Sequence, residues 1–373
     1  MVLSKKTKKN KKNKKKKKEK KRKPKKRKKR KPQKKGRSAK REKGTAQKMK
    51  RAQRKRKRTE FDSPARVASP ARKVDTIADL CAALRGGKLE APKNASADDV
   101  ADALDELDAF IGVESVKRVV LEMVLLSCLG LSDARDFTNV VLTGNPGTGK
   151  TELCGVVSRV WRSVFHGKRG RVTWLCRAQL IGEHLGETSM KTMRALSSAI
   201  PGVVVLDEVY ALGSGERDKD SFSKECIDAI NQFLSECRES ITVVVAGYRD
   251  ETERCFFARN QGLERRFPWR FNIDDYAVAD LVRIAEKQLA DSSWYAFDGW
   301  TKDTLFLAEL AVARNNGGDT QAIIHACKLA HARRIPPEAE RRVISEQDLH
   351  AGCRAWRTAT AHPVEPVPVG MYT

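Results

Sequence analysis

No two cysteines in this chain are spaced Cys-x-x-Cys. The nine present, Cys81, Cys128, Cys154, Cys176, Cys226, Cys237, Cys255, Cys327 and Cys353, stand singly. That pattern excludes a zinc ribbon, and an odd count in 373 residues does not suit a small disulfide scaffold. Reduced thiols in an intracellular compartment fit best. No apolar run approaches the ~20 residues of a membrane span. Met1-Val2-Leu3-Ser4 passes straight into lysine, without the apolar stretch of a secretory signal. The chain therefore reads as soluble and intracellular, with no membrane partner. Aromatic residues are scarce too, and none precedes Phe61.

Acidic residues are almost missing from the same stretch. Residues 1–60 hold 36 Lys and Arg against 3 acidic residues, which leaves 39 basic and 44 acidic in the rest. The formal charge of +28 thus belongs to the tail, and the remainder is mildly acidic. The high isoelectric point gives no ground for nucleic-acid binding by the fold itself. Lysine repulsion and lack of apolar residues leave nothing to offset chain entropy, so 1–73 is expected to be a disordered basic tail. Clusters such as Lys25-Lys26-Arg27-Lys28-Lys29-Arg30 and Arg54-Lys55-Arg56-Lys57-Arg58 suit import into the nucleus or nucleolus. The same charge suits non-specific nucleic-acid binding, with counterion release and no base stacking. A plain solubilising extension is the third reading.

Order is expected from about Val74. Ile77, Leu80, Cys81 and Leu84 have helical spacing, and a second helix begins at Ser96, read as its N-cap, with Asp99 three residues on. These form an N-terminal helical segment, 74–107. A longer helix follows over 114–129. From Asn139 short apolar strands alternate with helices: Val140–Thr143, Val172–Leu175, Val203–Leu206, Ile241–Ala246 and Phe271–Ile273. Runs apolar on both faces are what buried parallel strands look like, and the alternation predicts a doubly wound α/β sheet over 108–275. Beyond about Tyr276 the strands stop. Helical patterns at 279–289, 305–313, 320–333 and 346–356 predict a small helical lid over 276–360, before a flexible C-terminus, 361–373.

Gly144-Asn145-Pro146-Gly147-Thr148-Gly149-Lys150-Thr151 fits G-x-x-x-x-G-K-[ST] in full, directly after a strand and before a helix. Its glycines let backbone N–H groups wrap a phosphate chain, and the helix N-terminus adds positive potential. Lys150 is placed to contact the β- and γ-phosphates of ATP, and the Thr151 hydroxyl to ligate Mg²⁺. Val203-Val204-Val205-Leu206 then ends in Asp207-Glu208. Asp207 is the second metal residue, and Glu208 is suited to polarise the attacking water. Together the two motifs define a nucleotide-hydrolysing P-loop NTPase.

The segment from Asp108 to about Ala355 resembles the AAA+ ATPases. In particular it resembles the CbxX/CfxQ-like group that contains red-type Rubisco activase and stage V sporulation protein K. The likeness rests on Phe110-Ile111-Gly112-Val113-Glu114-Ser115-Val116-Lys117, on Gly144–Thr151, on the run from Leu180 to Thr188, on Asp207-Glu208 with Tyr210-Ala211-Leu212, on Ala246-Gly247-Tyr248, and on Asn260-Gln261-Gly262-Leu263-Glu264-Arg265-Arg266-Phe267. The resemblance implies that Ile111 and Gly112 line the adenine pocket. It implies that Arg266, with Arg265 beside it, reaches a neighbouring subunit's site as an arginine finger, which requires a homo-oligomeric ring, typically a hexamer. It implies that Gly182–Gly186 is a pore loop that grips polypeptide, although the family's aromatic residue is here His184.

Two departures matter. Ala246-Gly247-Tyr248 offers only the Tyr248 hydroxyl where a polar sensor is expected, a trait shared by this group. Gln321 stands where the family has an arginine facing the γ-phosphate, and Gly318 replaces another arginine. Binding of ATP should survive this, while hydrolysis or lid motion slows. Three functions stay open: ATP-driven remodelling of an unidentified protein or nucleoprotein partner, an ATP-dependent assembly switch or scaffold with weak hydrolysis, and a nucleic-acid-associated loader or initiator. The Rubisco role is not transferred, because the motor does not encode the partner.

Overall fold

A computed structural model describes residues 74–360 apart from 134–135, 185 and 214–220. The basic tail expected over 1–73 and the flexible stretch expected over 361–373 lie outside the described residues.

Five strands, β1 Val140–Gly144, β2 Arg171–Trp174, β3 Gly202–Leu206, β4 Ile241–Gly247 and β5 Trp269–Ile273, form one parallel sheet in the order β2-β3-β4-β1-β5. Val140 pairs with Val244 on one side and Trp269 on the other. The valine-rich strands suit this position because both faces are covered. Val203 and Val205 face the helices α1 Ile77–Arg85, α2 Ala97–Asp108, α3 Glu114–Cys128 and α4 Lys150–Trp161. Val204 and Leu206 face the opposite layer, α5 Arg177–Leu180, α6 Thr188–Ser198 and α7 Ser221–Glu236. β2 departs from the both-faces pattern. It is an edge strand whose Arg171 and Trp174 are exposed.

Ser96 does precede α2, but its side chain makes no capping hydrogen bond. At α1, by contrast, the Thr76 side chain does cap, accepting from the Asp79 N–H at 3.1 Å.

After α8 Arg249–Cys255 and β5, the chain enters a helical region: α9 Val278–Asp291, α10 Thr304–Leu310, α11 Gly317–Arg333 and α12 Glu346–Thr360. These helices enclose their own core around Phe306, Leu281, Ile323, Cys327 and Trp356. Burying a side chain such as Phe306 is worth about 1.5–3 kcal/mol. The expectation that strands stop near Tyr276 needs correction. Tyr295–Ala296 (β6) pairs in parallel with Val343–Ile344 (β7). Two-residue strands carry too little alternation to show in a sequence.

A buried carboxylate ties the lid helices together. Asp348 receives hydrogen bonds from Arg334 Nε at 2.7 Å and Nη2 at 2.6 Å, from the Ser345 N–H at 3.0 Å and hydroxyl at 2.8 Å, and pairs with His331 Nδ1 at 2.9 Å. Among the described residues, no helix is long and apolar enough to cross a membrane.

Candidate nucleotide site

The C-terminal ends of β1, β3 and β4 deliver Gly144, Asp207 and Tyr248 to one edge of the sheet, where ligands bind in such folds. The loop after β1 turns back through Gly147 at φ +72° and Gly149 at φ +78°, and α4 begins at Lys150. The Thr151 hydroxyl bonds Asp207 Oδ2 at 2.5 Å, and Asp207 Oδ1 accepts the Glu208 N–H at 2.9 Å. Glu208 itself has left-handed backbone, φ +50°, which turns its exposed carboxylate off the strand direction. The pairing of a hydroxyl and a carboxylate oxygen is the hard-donor set that Mg²⁺ takes.

Lys150 Nζ donates to the Asn145 carbonyl at 2.7 Å and lies 4.8 Å from the centre of the Tyr248 ring. Burial lowers its pKa below the ordinary lysine value, against the opposing pull of Asp207 and Glu208. Tyr248 in turn stacks on Tyr210, with centroids 5.4 Å apart and planes at 21°. Burial, with the nearby Glu208 charge, pushes the Tyr210 phenol up to about 12. Tyr248 therefore contributes a ring face here, where the sequence offered only a hydroxyl.

The C-terminal helical region, expected to serve as a lid, is bonded to the phosphate loop itself. Asn145 Nδ2 donates to both oxygens of Asp275 at 3.0 Å. Asn316 Nδ2 donates to Asp275 at 2.8 Å and to the Pro146 carbonyl at 3.2 Å, and its Oδ1 accepts the Tyr276 N–H at 2.9 Å. Gly317 N–H meets the Gly147 carbonyl at 3.0 Å, and the Tyr276 hydroxyl meets the Thr148 carbonyl at 3.1 Å. The amide donations from Asn316 and Asn145 hold Asp275 below the ordinary carboxylate range. Asn316 adopts φ +48°, a strained conformation that persists only where surroundings over-determine it.

Between loop and lid lies a cavity of about 300 Å³, lined by Ile111, Gly149, Tyr276, Gln288 and Gln321 among others. Gly112 lies against the same lid tyrosine: at φ +72°, a Cβ there would come within 2.9 Å of Tyr276. So Ile111, Gly112, Asn145–Thr151, Asp207, Glu208 and Gln321 are brought together on this side of the sheet. Asp275, Tyr276 and Asn316 join them, named by no site motif, and so does Tyr210, which the sequence marked only as part of the family likeness.

Gly147 supplies a direct check. A Cβ there would overlap the Asn315 carbonyl, and its φ disfavours any L side chain. Gly147→Ala is expected to weaken binding of a fluorescent ATP analogue by about tenfold or more, given ~1–2 kcal/mol for left-handed backbone alone. Unchanged affinity would show that loop and lid do not need this close approach.

Arg266 is elsewhere. Trp269 pairs with Val140 at the start of β1, roughly 13 Å along the strand from Gly144, and Arg266 precedes Trp269, so it sits at the opposite end of the sheet. Its guanidinium donates to Ser235 Oγ at 2.9 and 2.5 Å and to the Gly262 carbonyl at 2.6 Å. Arg265 beside it is exposed. His184 is exposed between α5 and α6, with its N–H 3.4 Å from Glu187.

Residues 140–267 match the model of the ATPase family associated with various cellular activities (AAA). A putative cfxQ-like protein of Acanthamoeba polyphaga mimivirus is 30% identical over 239 residues, covering 63% of this chain and 58% of that protein. Protein CfxQ of Xanthobacter flavus is 29% identical over 282 residues, covering 71% and 88%. The plasmid-encoded CbxX of Cupriavidus necator is 30% identical over 253 residues, covering 64% and 78%. With the parallel β2-β3-β4-β1-β5 sheet and the phosphate loop on its β1 edge, these likenesses place the chain in the AAA ATPase family, as a CbxX/CfxQ-like member.

Proposed function

We propose that the protein is a Mg²⁺-dependent ATPase that works as a homo-oligomeric ring, typically a hexamer, and remodels a protein or nucleoprotein partner. The convergence of Lys150, Thr151, Asp207 and Glu208, with Thr151 bonded to Asp207, carries this reading. Thr151 and Asp207 would hold Mg²⁺, which when bound offsets phosphate charge. Glu208 accepts the proton of the water that attacks the γ-phosphorus, and Lys150 stabilises charge on the phosphoryl oxygens as ADP leaves. Ile111 and Gly112 receive the base, and Gln321 offers a neutral amide from the lid.

Arg266 lies at the end of the sheet opposite its own phosphate loop, a position suited to serving a second copy. Arg266→Ala is expected to lower turnover at least a hundredfold, since such arginines are worth about 10³–10⁵. Arg266→Ala and Lys150→Ala, each inactive alone, should recover turnover when mixed. Loss without recovery would remove the shared site from the proposal.

The second reading, an assembly switch or scaffold with weak hydrolysis, is favoured by Gln321, which brings no charge to the cavity. Turnover measured over a range of protein concentrations against Lys150→Ala separates the two. A rise in specific activity with concentration supports the ring motor. ATP binding with turnover at the blank supports the switch. The tail, by its charge alone, suits nuclear import or non-specific nucleic-acid binding, and removal of residues 1–60 tests the latter. Turnover that still responds to DNA or RNA without the tail would favour the loader or initiator reading.

A further inference from the structure

Arg266 is held by its own chain through both backbone and side chain. Its backbone carbonyl accepts from Asn139 Nδ2 at 2.7 Å, and Asn139, 2% exposed, takes the Val243 N–H on its Oδ1 at 2.7 Å. One buried amide thus fastens the arginine backbone to β4. At the other end, Ser235 Oγ, in the last turn of α7, accepts from Arg266 Nε and Nη2, while the Gly262 carbonyl accepts from Nη1. The Ser235 hydroxyl proton is engaged elsewhere, donated at 2.9 Å to the Asn231 carbonyl one turn back. Ser235 therefore meets the guanidinium as an acceptor, the one role that a group made only of donors can use.

We infer that Ser235 is the positioning residue for Arg266. With Gly262 it fixes the plane of the guanidinium and leaves part of the fork for an anion held by a second copy. A guanidinium is a rigid fork of about five N–H donors. Ser235 and Gly262 engage three, and among the described residues the remaining ones take no partner. A loose arginine would lose rotamer freedom on meeting an anion, and a fork fixed beforehand avoids that cost. Ser235 itself is exposed, so it can be replaced without opening the core.

This inference rests on the reading of Arg266 as a residue that serves another copy, so one arm of its test needs neither turnover nor nucleotide. The full chain is labelled with ¹⁵N-arginine, and its side-chain Nε–H resonances are recorded. Protons of free guanidinium groups exchange quickly with water, so a bonded Nε–H stands apart. The resonance that Arg266→Lys removes is followed in Ser235→Ala. Its shift or loss is expected. If it stays in place, Ser235 does not hold Arg266, and the inference fails whatever the activity.

In the kinetic arm, Ser235→Ala is expected to lower kcat about tenfold, a part of what an arginine finger contributes. Affinity for a fluorescent ATP analogue should not change, because Ser235 is bonded to Arg266, at the sheet end away from the chain's own phosphate loop. Ser235→Thr returns a hydroxyl to the same turn and should recover most of the loss. Mixed with Lys150→Ala, whose Arg266 is intact, Ser235→Ala should regain turnover, which a damaged fold would not do. Added to Arg266→Ala, Ser235→Ala should cost nothing further, because the two act as one unit. The role is overturned by a Ser235→Ala kcat close to wild type, by no recovery with threonine or on mixing, or by a full further loss on the Arg266→Ala background. Undiminished turnover in Arg266→Ala would overturn the reading of Arg266 itself, and the inference with it. An inactive Arg266→Ala beside a fully active Ser235→Ala overturns the inference alone.

Discussion

Glu208→Gln is expected to lower kcat for ATP by about 10²–10⁴-fold while nucleotide affinity changes little. The substitution keeps size and shape and removes the basic oxygen. Glu208 is exposed at the end of β3, and its backbone N–H bonds Asp207. The bonded pair of Thr151 and Asp207, proposed to hold Mg²⁺, does not include its side chain. Lys150→Ala should act differently, losing binding as well as turnover, because Lys150 belongs to the phosphate loop. Steady-state kinetics and titration with a fluorescent ATP analogue distinguish the two. A Glu208→Gln enzyme within a few-fold of wild type would place the base on another residue.

Asp348→Ala is expected to destabilise the helical lid by about 3–5 kcal/mol, the cost of breaking a buried ion pair by removing one partner. The side chain is 1% exposed, and His331 beside it 2%. Alanine would leave His331 and Arg334 facing each other without the carboxylate between them, with the Ser345 hydroxyl as the remaining acceptor for Arg334 and His331 Nε2 already buried without a partner. The effect depends on pH. Burial alone would raise the Asp348 pKa, but hydrogen bonds from Arg334, His331 and Ser345 outweigh it and hold the carboxyl well below the usual range. A depressed folded-state pKa means the stabilisation is complete above the unfolded value of about 4 and fades as pH falls further. The stability gap between wild type and variant should therefore narrow below about pH 4. Trp294, edge-on to His331 at 5.4 Å, gives a local fluorescence probe of lid unfolding. A gap unchanged at pH 3 would show that the network is not held by this charge.

Val203–Leu206 and Ile241–Ala246 could be read as buried parallel strands because a strand covered on both faces must be apolar at every position. The observed limits, Gly202–Leu206 and Ile241–Gly247, differ by a residue. β2 had the same apolar look and lies at the edge, since strand order is set by crossovers that leave no mark in one strand's composition. Ser96 had the right residue type for a cap, but capping needs a side-chain rotamer that residue type does not specify.

The amino-acid sequence by itself determined the chemistry of the phosphate loop and the acidic strand end. Both are local: a glycine-rich turn between strand and helix, and two carboxylates after an apolar run, each complete within eight residues or fewer. It also determined that Gln321 brings no charge where the family has arginine. Only the tertiary structure decided what surrounds those motifs. The lid asparagine Asn316, Asp275 and loop residue Asn145 meet from three distant segments. Tyr210 and Tyr248 stack because β3 and β4 are neighbours in the sheet. Arg266 is carried to the opposite end of the sheet because β5 pairs with β1 in parallel. Each of these depends on which strands pair and in what direction, and that is fixed by packing of the whole domain rather than by any local run of residues.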